Sequence, residues 1–127
     1  MSVPTITQLT PFVLVSNLEK ALAFYEGVLE FECTFRADNY AFIRWEKAAI
    51  RLFEVGCDID LQDEKRQQSL YIDVDGLDAL YERLEAMLSM LPSGRVRAPF
   101  NQDYGQREFH VVDEDALLIF FGEALPK

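Results

Sequence analysis

One short pattern occurs twice in this chain, as Val-Ser-Asn-Leu-Glu at positions 15–19 and as Val-Asp-Gly-Leu-Asp at positions 74–78. Each copy lies between an apolar run and a stretch with apolar residues at helical spacing, which predicts a strand followed by an amphipathic helix. Segments rich in branched and aromatic residues follow both helices and predict three further strands in each half. The sequence therefore predicts an α+β fold built from two β-α-β-β-β modules.

The boundaries of these elements follow from local signals. A capping box from Ser16 to Glu19 is expected to begin the first helix, and the breakers Pro92-Ser93-Gly94 are expected to end the second, whose apolar stripe includes Met87. The strands after the helices are predicted at 31–36, 40–45 and 48–55, and at 95–99, 106–112 and 117–121. We place the modules at about 8–56 and 68–123, joined by a polar linker at 57–67, within a single domain at 1–127.

Length and charge exclude several classes of function. The chain has 127 residues, and its 22 acidic against 12 basic side chains give a net charge of −10, which repels phosphate backbones. We therefore expect no nucleic-acid partner.

The sequence lacks the apolar run of about 20 residues that a membrane helix needs and the features of a signal peptide, so we expect a cytoplasmic protein. Cys33 and Cys57 form no CxxC motif and are expected to stay reduced.

Three segments carry a resemblance to a known family: PFVLVSNLEKALAFYEGVLEFECTFRADNYAF at 11–42, IDVDGLDALYERL at 72–84, and YGQREFHVVDEDALLIFFGE at 104–123. They resemble the vicinal-oxygen-chelate superfamily, which includes glyoxalase I, ring-cleaving dioxygenases and bleomycin-resistance proteins, and are most similar to the bleomycin-binding branch. The resemblance implies curled mixed sheets around a cleft, a homodimer in which sheets of two chains face each other, and a small-molecule ligand. The N-terminal arm around Pro4 is expected to reach the partner.

Enzymes of that superfamily hold a divalent cation at four places. Transferred to this chain, the places are Thr10, Arg51, Ser69 and Phe120, and none is a good ligand; the Arg51 guanidinium would repel a cation. We therefore predict no metal, no cofactor and no catalytic residue. A register shifted by one residue would bring in Glu54 or Gln68, but it would also point side chains to the other face of the sheet.

The remaining candidates would hold a ligand by stacking and charge. Tyr40 and Tyr104 match aromatic positions with which the resembling proteins sandwich a flat group, and the acids Asp38, Asp103 and Glu108 suit a cation. Arg51 needs a counter-charge, either from Glu108 or from an anionic ligand. The lone histidine, His110, is expected to be structural, and Asp113 to belong to a turn at 113–116. The predicted ligand-binding residues are Asp38, Tyr40, Phe42, Arg51, Phe53, Tyr104, Arg107 and Glu108.

These residues and the resemblance together favour one function. The chain is expected to bind a bulky, cationic, partly aromatic molecule reversibly and without turnover, as antibiotic-resistance proteins that sequester a drug do. One alternative is a metal-dependent lyase or dioxygenase with an off-pattern site that includes Glu54, Gln68 or His110. A second alternative is the binding of an unrelated anionic metabolite.

Overall fold

The computed structural model describes residues 3–127 and contains two four-stranded sheets, each covered by one helix. The first module consists of β1 (Phe12–Val15), α1 (Leu18–Gly27), β2 (Glu32–Ala37), β3 (Tyr40–Trp45) and β4 (Ala48–Glu54). The second consists of β5 (Ser69–Asp73), α2 (Leu77–Leu88), β6 (Val96–Asn101), β7 (Gln106–Val112) and β8 (Leu118–Ala124). Sheet A has the order β1-β4-β3-β2 and sheet B the order β5-β8-β7-β6, with the first pair of each parallel. The predicted duplication is confirmed.

Helix α1 packs on sheet A through the predicted apolar stripe, since Leu18, Ala21, Leu22 and Tyr25 are buried. Its N-terminus differs from the prediction. Asn17 is the capping residue, because its side chain accepts a hydrogen bond from the Lys20 backbone N–H at 3.0 Å. The Ser16 N–H instead donates to Asp115 Oδ2 of the other module at 3.0 Å, so the predicted capping box is wrong.

Helix α2 begins after Gly76, which has a φ of 84° and thus a left-handed conformation that suits glycine. Leu77, Leu84 and Leu88 face the core. Met87 was predicted in the same stripe, but it is 44% exposed because the sheet covers a narrower arc of the helix than the sequence pattern suggested.

A glutamate at the end of the last strand caps the helix in both modules. Glu54 Oε2 accepts from the Leu18 N–H at 2.7 Å, and the Glu123 carboxylate accepts from the Gly76 and Leu77 N–H groups at 2.8 and 3.1 Å. These backbone hydrogen bonds lower the pKa of Glu123. Carboxylates at helix N-termini offset unpaired N–H groups and the positive end of the helix dipole.

The two modules share one hydrophobic core, which contains buried residues of α1, α2 and both sheets. Tyr25 Oη donates to Asp113 Oδ2 at 2.7 Å across this junction. Asp113 also accepts from the backbone N–H groups of Asp115 and Leu117, so its predicted role in the turn is confirmed. Ala116 in this turn has a φ of 66°, a left-handed conformation that is costly for an alanine. Within residues 3–127, neither helix has the length and hydropathy that a membrane crossing requires.

Candidate ligand-binding faces

Each sheet has one face that no helix covers. Strand side chains alternate between faces, so the residues next to the buried Ile43, Leu52, Phe109 and Ile119 point away from the helices. We call these surfaces open face A and open face B. Open face A contains Phe12, Tyr40, Phe42, Arg51 and Phe53. Open face B contains Tyr71, Phe100, Glu108, His110 and Phe120.

Glu108 is the centre of open face B. Its side chain is fully buried, yet within residues 3–127 its ion pair is with a histidine, His110. Four donors hold its carboxylate, two on each oxygen. Oε1 accepts from Gln102 Nε2 at 3.0 Å and from His110 Nε2 at 2.8 Å, and Oε2 accepts from Tyr71 Oη at 2.9 Å and from Tyr104 Oη at 2.5 Å.

This arrangement keeps Glu108 ionised. Burial raises the pKa of Glu108, but hydrogen bonds from Tyr104, His110, Gln102 and Tyr71 outweigh burial and lower the pKa to about 2. The hydrogen bond to Glu108, together with burial, raises the pKa of Tyr104 to about 12. Burial and the same carboxylate also raise the pKa of Tyr71. Open face B therefore carries a fixed negative charge beneath two neutral phenols at neutral pH.

Aromatic rings form a row across all four strands beside this carboxylate. The Tyr71 ring stacks on Phe120 with centroids 5.6 Å apart, Phe120 contacts His110 at 4.4 Å, and His110 meets Phe100 edge-on at 5.2 Å. The Arg97 guanidinium lies over Phe100 at 3.5 Å from its centroid. One end of the row is thus already covered by a planar cation, and the rest is open.

Gly122 makes room for Tyr71. A methyl group at Gly122 would lie 1.8 Å from the Tyr71 hydroxyl oxygen and 2.4 Å from Cζ of its ring. These separations are far inside van der Waals contact. Only glycine at this position of β8 allows Tyr71 to lie across the neighbouring strand and reach Glu108.

Arg51 is the centre of open face A. Its Nε donates to Thr10 Oγ1 at 2.8 Å and its Nη1 to Tyr40 Oη at 2.5 Å, and the guanidinium lies over the Phe42 ring at 5.0 Å from the centroid. The counter-charge from Glu108 that the sequence allowed is not present within the chain, because Glu108 is held by its own module on the other sheet.

The family's metal places do not offer a fitting donor set. Thr10, which precedes β1, bonds to Arg51 of sheet A, while Ser69 and Phe120 lie on strands of sheet B. The off-pattern alternatives have other roles: Glu54 caps α1, Gln68 bonds the Phe12 carbonyl and Arg66, and His110 bonds Glu108. Within residues 3–127, no group of three or more histidine, cysteine or acidic side chains comes together in metal-binding geometry.

The predicted ligand residues divide between the two faces. Tyr40, Phe42, Arg51 and Phe53 lie on open face A, and Glu108 lies on open face B with Tyr104 bonded to it. Asp38 sits in the turn between β2 and β3 with a φ of 39°.

Arg107 and Asp103 are not part of either open face. Arg107 donates to Asp78 at the start of α2 and to Asn101, because it alternates with Glu108 along β7 and points to the opposite side. The Arg107 side chain therefore lies on the other side of β7 from Glu108. Asp103 is an exposed loop residue beside Tyr104.

Sequence reasoning missed most of open face B. The missed residues are Tyr71, Phe100, Gln102 and Gly122, whereas Phe120 was considered only as a former metal place. Period-two alternation along β5, β7 and β8 places Tyr71, Glu108, His110 and Phe120 on one side, and this signal was available. Strand order was needed as well, because it makes these residues neighbours.

A separate groove of about 680 Å³ lies between the turn that joins β3 to β4 and the start of α2. Its lining includes Trp45, Asp73, Leu80 and Arg83. The groove is therefore distinct from both open faces.

The chain was compared with protein-family models, curated proteins and solved structures. The model of the Glyoxalase/Bleomycin resistance protein/Dioxygenase superfamily matches residues 5–121. The search of curated proteins gave no match.

Among solved structures, a bleomycin-binding protein complexed with bleomycin is 23% identical with a TM-score of 0.79, and the match covers 93% of this chain and 98% of that one. The bleomycin-binding protein of bleomycin-producing Streptomyces verticillus, complexed with copper(II)-bleomycin, is 18% identical with a TM-score of 0.76, over 98% and 100% of the chains. Lactoylglutathione lyase from Agrobacterium tumefaciens is 16% identical with a TM-score of 0.67, over 94% and 95%. At these identities the matches show a shared fold.

Proposed function

Because the chain belongs to the Glyoxalase/Bleomycin resistance protein/Dioxygenase superfamily, we propose that it binds a bulky, cationic, partly aromatic molecule on open face B and releases it unchanged. Binding proteins and enzymes both occur among its structural relatives, so the choice between them depends on the residues of this chain.

The observation that carries the proposal is the buried, ionised Glu108 beneath open aromatic rings. An ionised carboxylate in a site of low dielectric exerts a stronger field than an exposed one. The faces of Tyr71 and Phe120 add the negative potential of their π systems, which attracts cations. Arg97 on Phe100 is an example of this attraction within the chain itself.

The hydrogen bonds of Glu108 also suit binding better than proton transfer. All four donors are engaged, and a pKa of about 2 makes this carboxylate a weak base. The net charge of −10 further raises the local concentration of a cationic ligand at low ionic strength.

We propose that the binding unit is a homodimer. Large aromatic side chains stay exposed on both open faces, including Phe12, which is 57% exposed, and Tyr71, which is 41% exposed. Burying such surfaces against a second copy is favourable, and a ligand held between two faces loses more water than one on a single face. Analytical ultracentrifugation should give twice the chain mass; a monomer at all concentrations would contradict the dimer.

Calorimetric titration with metal-free bleomycin tests the binding function. Tyr104→Ala should weaken binding at least tenfold while the fold survives, because it removes an aromatic surface and one donor to Glu108. Met90→Ala, which truncates a side chain that is 75% exposed near the end of α2, is the control and should bind like the parent. Mass spectrometry should recover the ligand intact.

Three outcomes would contradict the proposal. Bleomycin and a simple cationic heteroaromatic such as proflavine could both fail to bind. Tyr104→Ala could bind as tightly as the control. The recovered ligand could be modified, which would instead favour an enzyme.

A further inference from the structure

The hydrogen bonds around Arg51 leave several hydrogen-bond donors unused on open face A. A guanidinium donates and never accepts, so Thr10 Oγ1 and Tyr40 Oη must each use a lone pair on Arg51. Each hydroxyl then keeps its own proton for another partner. The guanidinium also keeps N–H groups that neither hydroxyl accepts, Nη2 among them.

The charge of Arg51 has no acid partner. The ion pairs within residues 3–127 involve Arg36, Arg83, Arg95, Arg107 and His110, and Arg51 is not in any of them. The Arg51 guanidinium is half-buried, and its neighbours are two hydroxyls and the face of an aromatic ring. Because none of these neighbours is charged, an anion would compensate its positive charge best.

The surroundings of Arg51 select the kind of anion. Phe12 and Phe42 flank Arg51 on the neighbouring strands, one on each side, as the strand register requires. An anion held here therefore has an apolar group beside it. One guanidinium balances one negative charge, and a chain with a net charge of −10 disfavours a dianion.

We propose that open face A contains a carboxylate-binding subsite, in which Arg51, Thr10 and Tyr40 bind the carboxylate of an organic monoanion whose apolar part lies against Phe12 and Phe42. This subsite is on the other sheet from Glu108, and it does not require cation binding there. A ligand with both charges, or two different ligands, would be compatible with it.

An NMR titration of the full chain tests the subsite with benzoate as the probe and benzamide as its neutral analogue. Benzoate should shift the Arg51 Nε–Hε resonance in a saturable way, whereas benzamide should leave it in place. Phenyl phosphate, which carries more negative charge on the same ring, should bind more weakly than benzoate.

Variants separate a specific site from general charge attraction. Arg51→Gln should lower benzoate affinity at least tenfold, and Arg51→Lys should recover only part of it, because an ammonium lacks the planar fork. Arg36→Gln is the matched control, since it removes the same charge from an arginine that pairs with Glu19 in α1. It should bind benzoate like the parent.

The carboxylate subsite is wrong if benzoate leaves the Arg51 signal unchanged, if benzamide shifts it equally, or if Arg36→Gln loses as much affinity as Arg51→Gln. Tighter binding of phenyl phosphate than of benzoate would overturn the assignment to a monocarboxylate. None of these results depends on bleomycin binding, and loss of bleomycin binding in Tyr104→Ala does not depend on benzoate.

Discussion

Replacing Gly122 by alanine should remove Tyr71 from the hydrogen bonds around Glu108 on open face B while Glu108 itself stays unchanged. The added methyl group would overlap the Tyr71 hydroxyl and ring, so Tyr71 must rotate away. The chain then loses a hydrogen bond of 2.9 Å to an ionised carboxylate, a loss of about 1.5–3 kcal/mol. It also loses the stacking of Tyr71 on Phe120, a further loss of about 0.5–1.5 kcal/mol.

The intrinsic preference of a strand for alanine over glycine offsets about 0.5–1 kcal/mol of this loss. We therefore expect Gly122→Ala to lower the free energy of unfolding by about 1–4 kcal/mol. In a Tyr71→Ala background the added methyl group meets no tyrosine side chain, so Gly122→Ala should be neutral or slightly stabilising.

Urea unfolding followed by Trp45 fluorescence gives the free energies for this double-mutant cycle. The cycle should show a coupling energy of about 2–4.5 kcal/mol between positions 71 and 122, which is the sum of the lost hydrogen bond and stacking. The predicted clash with Tyr71 would be contradicted if Gly122→Ala left the free energy of unfolding of the parent unchanged. It would also be contradicted if the substitution lowered that free energy equally in both backgrounds.

Four further substitutions follow from the structure and can be tested by the same unfolding assay. Ala116→Gly should stabilise the chain by about 1 kcal/mol, because it relieves a left-handed alanine. Glu54→Gln should destabilise it by about 1 kcal/mol through loss of the charged cap on α1, and Glu123→Gln should act in the same direction on α2. Glu108→Gln should cost at least about 2 kcal/mol at pH 7, because an amide cannot accept from all four donors.

The pH dependence of these variants has a definite sign. The folded-state pKa values of Glu108 and Glu123 lie below the ordinary glutamate value, so their stabilising effects are present above about pH 4.5 and are lost as the pH falls. For Glu108 the loss continues down to about pH 2. The stability difference between parent and Glu108→Gln should therefore shrink on acidification, and a difference that grows below pH 4.5 would contradict the folded-state pKa.

No change in stability for Ala116→Gly would mean that the turn relaxes around the alanine. Similarly, an unchanged stability of both Glu54→Gln and Glu123→Gln would mean that water satisfies the helix ends as well as the carboxylates do. Lys47→Gln, in the turn between β3 and β4, is a control for the removal of a single surface charge.

The sequence predicted the fold well because its signals are local and occur twice. The repeat at 15–19 and 74–78 and the alternation of Ala41 and Ile43 with Phe42 identified the elements and the buried faces. The helix caps were harder to predict. Glu54 and Glu123 reach the helices from distant strands, and no local pattern at Ser16 indicates this.

The site was predicted only in part, for a physical reason. Glu108 and Tyr104 are close in sequence and were found, whereas Tyr71 and Phe120 join them only through the pairing of β5, β7 and β8. The space for Tyr71 depends on the absence of a side chain at Gly122. Glycine has no functional group, so an analysis that selects chemically active residues does not select it. Arg107 lies in the late segment that resembles the bleomycin-binding branch, but it points away from Glu108 because adjacent strand residues face opposite sides.

We propose that Glu108 makes open face B a surface that binds cations and performs no reaction. The most direct measurement is calorimetric titration of parent and Glu108→Gln with metal-free bleomycin, with mass spectrometry of the ligand after incubation with and without added Ni²⁺ or Zn²⁺. We expect saturable binding by the parent, at least tenfold weaker binding by the variant, and intact ligand in every sample. Equal binding by both proteins, or metal-dependent conversion of the ligand, would contradict it.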